Sequence, residues 1–240
     1  ALPARSEMCI RDSSVAFFCP QSKAPTEAYL EQLQKYIVSN PLLHPFAEAI
    51  TSLRDTWTTL CECHADIAKL RAGEQHVLSL ERWITEGIAG PVSGSMSGIL
   101  ALPLLVIVQI CQYLQLLDLH NLTHDQMLSS LKNGGGAQGY CGGLPTAFAI
   151  ACAKDEEDVV RLAIKAMRLA LAVGAFGELG DDESIPGATT IAVRLRAPHQ
   201  GDELIKGIPG VSYVPIAFFL QGFSPVRPSL VAYRPIGLAI

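Results

Sequence analysis

Gly139-Tyr140-Cys141-Gly142-Gly143 decides how the rest of this chain is read. Glycine stands two residues before and two after Cys141. That is the spacing of a nucleophile on a sharp strand-to-helix turn, whose neighbours must lack side chains to avoid collision. The start of a helix after such a turn lowers a thiol's pKa and offers N–H groups to an oxyanion. Cys141 is therefore the candidate catalytic nucleophile, Gly142 N–H the first oxyanion donor, and Gly139 and Gly143 the turn glycines. The competing reading is a flexible loop over 134–143 with an incidental cysteine. Ala137-Gln138, a poor strand, weighs on that side.

The same stretch holds Gly134-x-Gly136-x-x-Gly139, the spacing of a dinucleotide fingerprint, which needs a strand before it. Thr123 and Gln126 instead predict a capping box opening a helix through Leu131, stopped at Asn133-Gly134. No bound cofactor is expected. Cys61-Glu62-Cys63-His64 resembles a metal cluster only on paper: successive helical residues point about 100° apart. His64 continues an apolar stripe from Phe46 through Ile50, Leu53, Trp57 and Leu60 to Ile67, read as one long helix. It is expected to be packed and hydrogen-bonded, and no metal site is expected.

Upstream, Val15-Ala16-Phe17-Phe18 reads as a short buried strand ending at Cys19-Pro20-Gln21. Thr26 caps a helix bearing Tyr29, Leu30, Leu33, Tyr36 and Ile37, closed by Asn40-Pro41. Ser79 reads as the cap of another, with Leu78 stapled to Trp83. The apolar run from Ile99 to Val108 continues as a helix to Leu117, with Gln109, Gln112 and Gln115 at helical spacing. It is read as partly buried, not as a membrane span, which needs about 20 apolar residues. Downstream, the apolar run Ala147 to Ala153 precedes Asp155-Glu156-Glu157-Asp158, the first turn of a helix whose polar face carries Arg161, Lys165 and Arg168. Strands are predicted over Thr189–Leu195 and Val211–Val214, with a short helical turn over 202–206.

Composition narrows the classes. Of 240 residues, 49% are hydrophobic and 17% charged, and the net charge is −5, which excludes the basic footprint of a nucleic-acid binder. Seven scattered cysteines make no disulfide framework and place the chain in a reducing, cytoplasmic compartment. A nucleophilic thiol needs a base, usually histidine. The candidates are His44, His64, His76, His120, His124 and His199. Only His199 follows Cys141, with Asp181 and Asp182 between, the order of α/β-hydrolases. The nearly all-helical upstream half counts against that class.

An early strand ending in a glutamine, a helical stretch, Gly-x-Cys-x-Gly, then a ferredoxin-like strand–helix–strand: this order resembles the malonyl-CoA:ACP transacylase fold. More closely, it is similar to the starter-unit:acyl-carrier-protein transacylase domain of fungal non-reducing polyketide synthases. The resemblance runs from Val15 to Val214. It is sharpest at Phe17-Phe18-Cys19-Pro20-Gln21, at Gly139-Tyr140-Cys141-Gly142-Gly143 with Ala147 to Ala153, and at Lys165-Ala166-Met167-Arg168-Leu169-Ala170. It implies an α/β fold: a large acyltransferase subdomain over 14–186 and a partial ferredoxin-like subdomain over 187–214. It also implies that Cys141 takes a starter acyl group as a thioester and passes it to the phosphopantetheine thiol of an acyl carrier protein. The donor would be acyl-CoA or an acyl-phosphopantetheine of a fatty acid synthase or partner polyketide synthase. Gln21 matches the position whose backbone N–H is the second oxyanion donor. The family's histidine comes far downstream of its nucleophile, so an N-terminal piece of such a domain is expected. Residues 1–13 are read as a non-native leader, and 215–240 are left unassigned. A catalytically inactive fragment and a small cysteine hydrolase using His199 are the alternatives.

Overall fold

The structure is a computed structural model that describes residues 15–19, 25–70, 72–87, 97–179, 191–194, 212–213 and 229–233. The chain falls into two compact units, 1–179 and 180–240.

The first unit is built around one helix. After strand β1 (Val15–Phe18), helices α1 (Glu27–Ser39), α2 (His44–Thr51), α3 (Leu53–Cys63) and α4 (Gly73–Glu86) lead to α5 (Gly98–His120). Then come α6 (His124–Asn133), β2 (Gly136–Gly139), α7 (Leu144–Cys152) and α8 (Glu156–Leu179). Helix α5 is apolar on nearly every side and buries Ile99, Leu104, Ile107, Ile110 and Leu114, as a core helix should. It is long and apolar enough to cross a membrane, yet 67% of its most apolar window is covered by the protein's own core. Pro103 does not break it. Helix α8 lies alongside, its first turn capped where Asp158 N–H donates to Asp155 Oδ1 at 2.8 Å, so the acidic run is a helix start as expected.

Thr26 caps α1, and Thr123 with Gln126 closes the predicted capping box on α6. Other expectations are corrected. The stripe from Phe46 to Ile67 is not one helix. It breaks at Ser52, whose hydroxyl donates to the Ala49 carbonyl at 3.1 Å, a local bond of the kind that competes with helix continuation. His64 is not buried: it is the exposed C-cap of α3, its ring edge-on to Phe176 at a centroid distance of 4.9 Å. Ser79 caps nothing, because α4 starts earlier, at Gly73. A Cβ at Gly73 would stand 2.0 Å from Trp57 Cζ2, so the start of α4 needs glycine to pack on that ring.

Strands β1 and β2 pair in parallel, with Val15 opposite Gly136 and Phe18 opposite Gly139. Ala137-Gln138 is thus a strand after all, and Phe17 on β1 is 60% exposed, not buried. In the second unit, β3 (Ile191–Arg194) and β4 (Ser212–Tyr213) both pair antiparallel with β5 (Ser229–Tyr233), which takes the middle of the sheet. The last strand lies in the segment for which the sequence predicts no element. The expected turn over 202–206 lies outside the described residues.

Candidate active site

β2 ends at Gly139, Tyr140 stays extended at φ −118°, and the chain then reverses at Cys141. Cys141 has φ 52°, in the left-handed region, which costs a non-glycine residue roughly 1–2 kcal/mol. Such strain persists only where the surroundings enforce it. Here they do. Tyr140 N–H donates to the Phe18 carbonyl at 2.8 Å and Gly143 N–H to the Tyr140 carbonyl at 2.9 Å. Cys141–Gly143 forms a 3-10 turn, and the Leu144 N–H closes it on the Cys141 carbonyl before α7 runs on. The thiol-bearing residue is left exposed at the tip.

The glycines on either side are closely hemmed in. A Cβ at Gly139 would stand 2.5 Å from Leu144 Cα and 2.8 Å from the Gly143 oxygen. One at Gly143 would stand 2.2 Å from the Phe18 oxygen and 2.4 Å from its carbon. Both obstacles are backbone, so no rotamer change relieves them. Gly142 is held on the other side by α5: a Cβ there would meet Leu102 Cδ2 and Leu105 Cδ2, each at 2.9 Å. Gly142 N–H belongs to the first turn, where N–H groups have no acceptor inside the helix.

The dinucleotide spacing is not a phosphate loop here. Gly134 caps α6, and Gly136 to Gly139 are the strand itself. Among the described residues no group of histidine, cysteine and carboxylate side chains could hold a metal. Gln21, His199, Asp181 and Asp182 lie outside the described residues. Among the described residues, no hydrogen bond joins Cys141 to a histidine. His44 lies against the Val38 carbonyl at 3.3 Å and His120 ends α5. His124 is fully buried, bonded to Tyr113 Oη at 2.7 Å and the Ala153 carbonyl at 3.2 Å.

One buried polar group was not singled out by the sequence reading. Gln109, 5% exposed on α5, donates its amide to the Cys19 carbonyl at 2.9 Å, and its Oε1 finds no partner among the described residues. A polar residue following directly on the apolar run was the available signal.

The family model for the starter unit:ACP transacylase in aflatoxin biosynthesis matches residues 16–184. The chain belongs to the starter unit:ACP transacylase family. The match carries the acyltransferase-like fold with it, and takes in β1, the elbow at Cys141 and α8. This transacylase-family chain is 46% identical over 196 residues to the non-reducing polyketide synthase atr1 of Stereocaulon alpinum, covering 82% of the chain and 8% of that protein. It is 38% identical over 196 residues to the non-reducing polyketide synthase Preu6 of Preussia isomera, covering 82% of the chain and 9% of that protein. It is 35% identical over 216 residues to the non-reducing polyketide synthase ascC of Acremonium egyptiacum, covering 90% and 10%. The chain thus spans a tenth or less of the length of these relatives. The hydrolase alternative gains no support from them.

Proposed function

We propose that this chain carries the loading site of a non-reducing polyketide synthase, with Cys141 as the nucleophile that receives the starter acyl group. The observation that carries the reading is the backbone of Cys141, at φ 52° between glycines that cannot bear a Cβ. Strain of this kind on an exposed thiol presents sulfur to a substrate and contributes nothing to packing.

In the proposed reaction, Cys141 Sγ attacks the carbonyl carbon of an acyl-CoA or acyl-phosphopantetheine thioester. The new C–S bond forms as the carbonyl oxygen takes negative charge, held by the N–H groups of Gly142 and Gln21. The tetrahedral intermediate collapses with cleavage of the donor's C–S bond, and the departing thiol leaves with the proton that Cys141 lost. The phosphopantetheine thiol of an acyl carrier protein then attacks the Cys141 thioester and restores the free thiol. Donor synthase and carrier protein are the partners this reaction requires.

Intact-mass measurement after incubation with acyl-CoA tests the reading. A mass increase of one acyl group, abolished in Cys141→Ala, is the expected result. Equal labelling of the variant overturns it.

A further inference from the structure

Helix α5 is sunk in the core along most of its length, through residues such as Ile99, Leu104, Ile107 and Ile110. Leu102 and Leu105 differ. They lie one turn apart on one face of the helix and are only half-buried. Both stand against the turn at Cys141: a Cβ at Gly142 would meet Leu102 Cδ2 and Leu105 Cδ2, each at 2.9 Å. Two leucine ends therefore close over the residue next to the exposed Cys141, and leave no room there even for a methyl group.

An acyl group on Cys141 would lie beside this pair. In the proposed reaction the thioester carbonyl oxygen turns to the Gly142 N–H, which brings the carbonyl carbon next to that residue. The first methylenes of the chain then start where the leucine ends stand. Leucine side chains offer no hydrogen bond, so the pair does nothing for the oxyanion. It acts by volume. A small acyl group fits beside side-chain ends already in contact, whereas each added methylene has to displace one of them.

We infer that Leu102 and Leu105 set the length of the acyl group that Cys141 accepts, admitting short chains and hindering long ones. The inference rests on the proposed acyl-transfer reading.

The test measures acylation of the full chain at Cys141 by acetyl-, butyryl- and octanoyl-CoA, read by intact mass. Each variant is scored by the ratio of two thioester rates on one preparation. The folded fraction cancels in that ratio, so a merely structural effect leaves it unmoved. The wild type is expected to favour acetyl over octanoyl. Leu102→Ala and Leu105→Ala should each raise the octanoyl-to-acetyl ratio about tenfold, the scale on which a pocket senses a methylene. Leu105→Phe should lower the butyryl-to-acetyl ratio. If an alanine variant does not fold, the milder Leu102→Val and Leu105→Val should shift the ratio in the same direction. Ratios unchanged across the leucine variants overturn the inference. So does a ratio that falls on truncation, which marks the pair as a surface the chain adheres to and not a limit on its length. An equal shift in Leu119→Ala, exposed at the far end of α5, overturns it as well. A wild-type chain alkylated at Cys141 by iodoacetamide but acylated by no thioester overturns the acyl-transfer reading itself, and this inference with it.

Discussion

Gly143 Cα rests against the Phe18 carbonyl so closely that a Cβ would lie 2.2 Å from its oxygen. The same carbonyl oxygen accepts the Tyr140 N–H at 2.8 Å. One peptide group of β1 therefore holds both sides of the turn that carries Cys141. The parallel pairing of β1 with β2 is what puts it there, since Phe18 stands opposite Gly139.

Gly143→Ala should accordingly damage the site more than its single methyl implies. Overpacking against backbone costs about 1–3 kcal/mol, and the turn must shift to accommodate it. A displacement near 1 Å at a reacting group costs roughly a hundredfold in rate. Acylation of Cys141 by acyl-CoA, followed by mass, should fall by about that factor, with the urea midpoint lowered as well.

The left-handed backbone at Cys141 predicts an inverse relation between stability and activity. Cys141→Gly and Cys141→Ala both remove the thiol and both abolish acylation. Only the glycine relieves φ 52°. Urea unfolding should find Cys141→Gly more stable than Cys141→Ala by about 1 kcal/mol.

The tight turn was legible in the sequence because its requirement is mechanical: glycines two residues either side of Cys141 state a steric constraint without reference to anything distant. The capping box at Thr123 was legible for the same reason, since both partners lie within four residues. What was not legible depended on remote neighbours. Gly136-Ala137-Gln138-Gly139 has little strand propensity and becomes a strand by pairing with β1. The start of α4 at Gly73 is set by the Trp57 ring, so Ser79 looked like a cap when it lies mid-helix. The break at Ser52 hid because apolar residues continue on both sides of it. Gln109 was read only as part of a helical spacing; its partner, the Cys19 carbonyl, is ninety residues away.

The packing of α8 on α5 depends on another pair of glycines. A Cβ at Gly174 would lie 2.2 Å from the Gly98 oxygen, whereas one at Gly177 meets nothing within 4 Å. Gly174→Ala should force the helices apart and cost about 1–3 kcal/mol. Gly177→Ala should instead stabilise by about 0.5–1 kcal/mol, through helix propensity alone. Urea midpoints of opposite sign for two alanines one turn apart are the expected outcome.

His124 is satisfied on both sides. The Ala153 carbonyl can only accept, so Nε2 carries the proton and Nδ1 accepts from the Tyr113 hydroxyl at 2.7 Å. Burial, followed by the charge of Glu156, pushes the Tyr113 hydroxyl well above its usual pKa, so it remains a donor throughout the ordinary pH range. Tyr113→Phe leaves a buried acceptor bare and should cost about 1–3 kcal/mol by urea unfolding. Its effect on acylation at Cys141 should be small once the remaining folded fraction is taken into account.

Cys111 predicts how stability depends on alkaline pH. It is fully buried on α5, and burial pushes its thiol far above the ordinary range. In the unfolded chain the same thiol ionises near a pKa of about 8.5. Below that pH both states hold the proton and stability is unaffected. Above it the unfolded state loses its proton while the folded state keeps it, so stability falls by up to about 1.4 kcal/mol per pH unit. Urea midpoints measured from pH 8 to 9.5 should therefore decline more steeply in the wild type than in Cys111→Val, which has no proton to lose. Iodoacetamide gives an independent reading at pH 8, because only a thiolate reacts. Exposed Cys63, Cys141 and Cys152 should be labelled in the folded chain, and Cys111 only after urea is added. Labelling of Cys111 at the rate of Cys63 without denaturant would show that α5 is not the sealed core helix on which the placement of Gly142 and Gln109 depends.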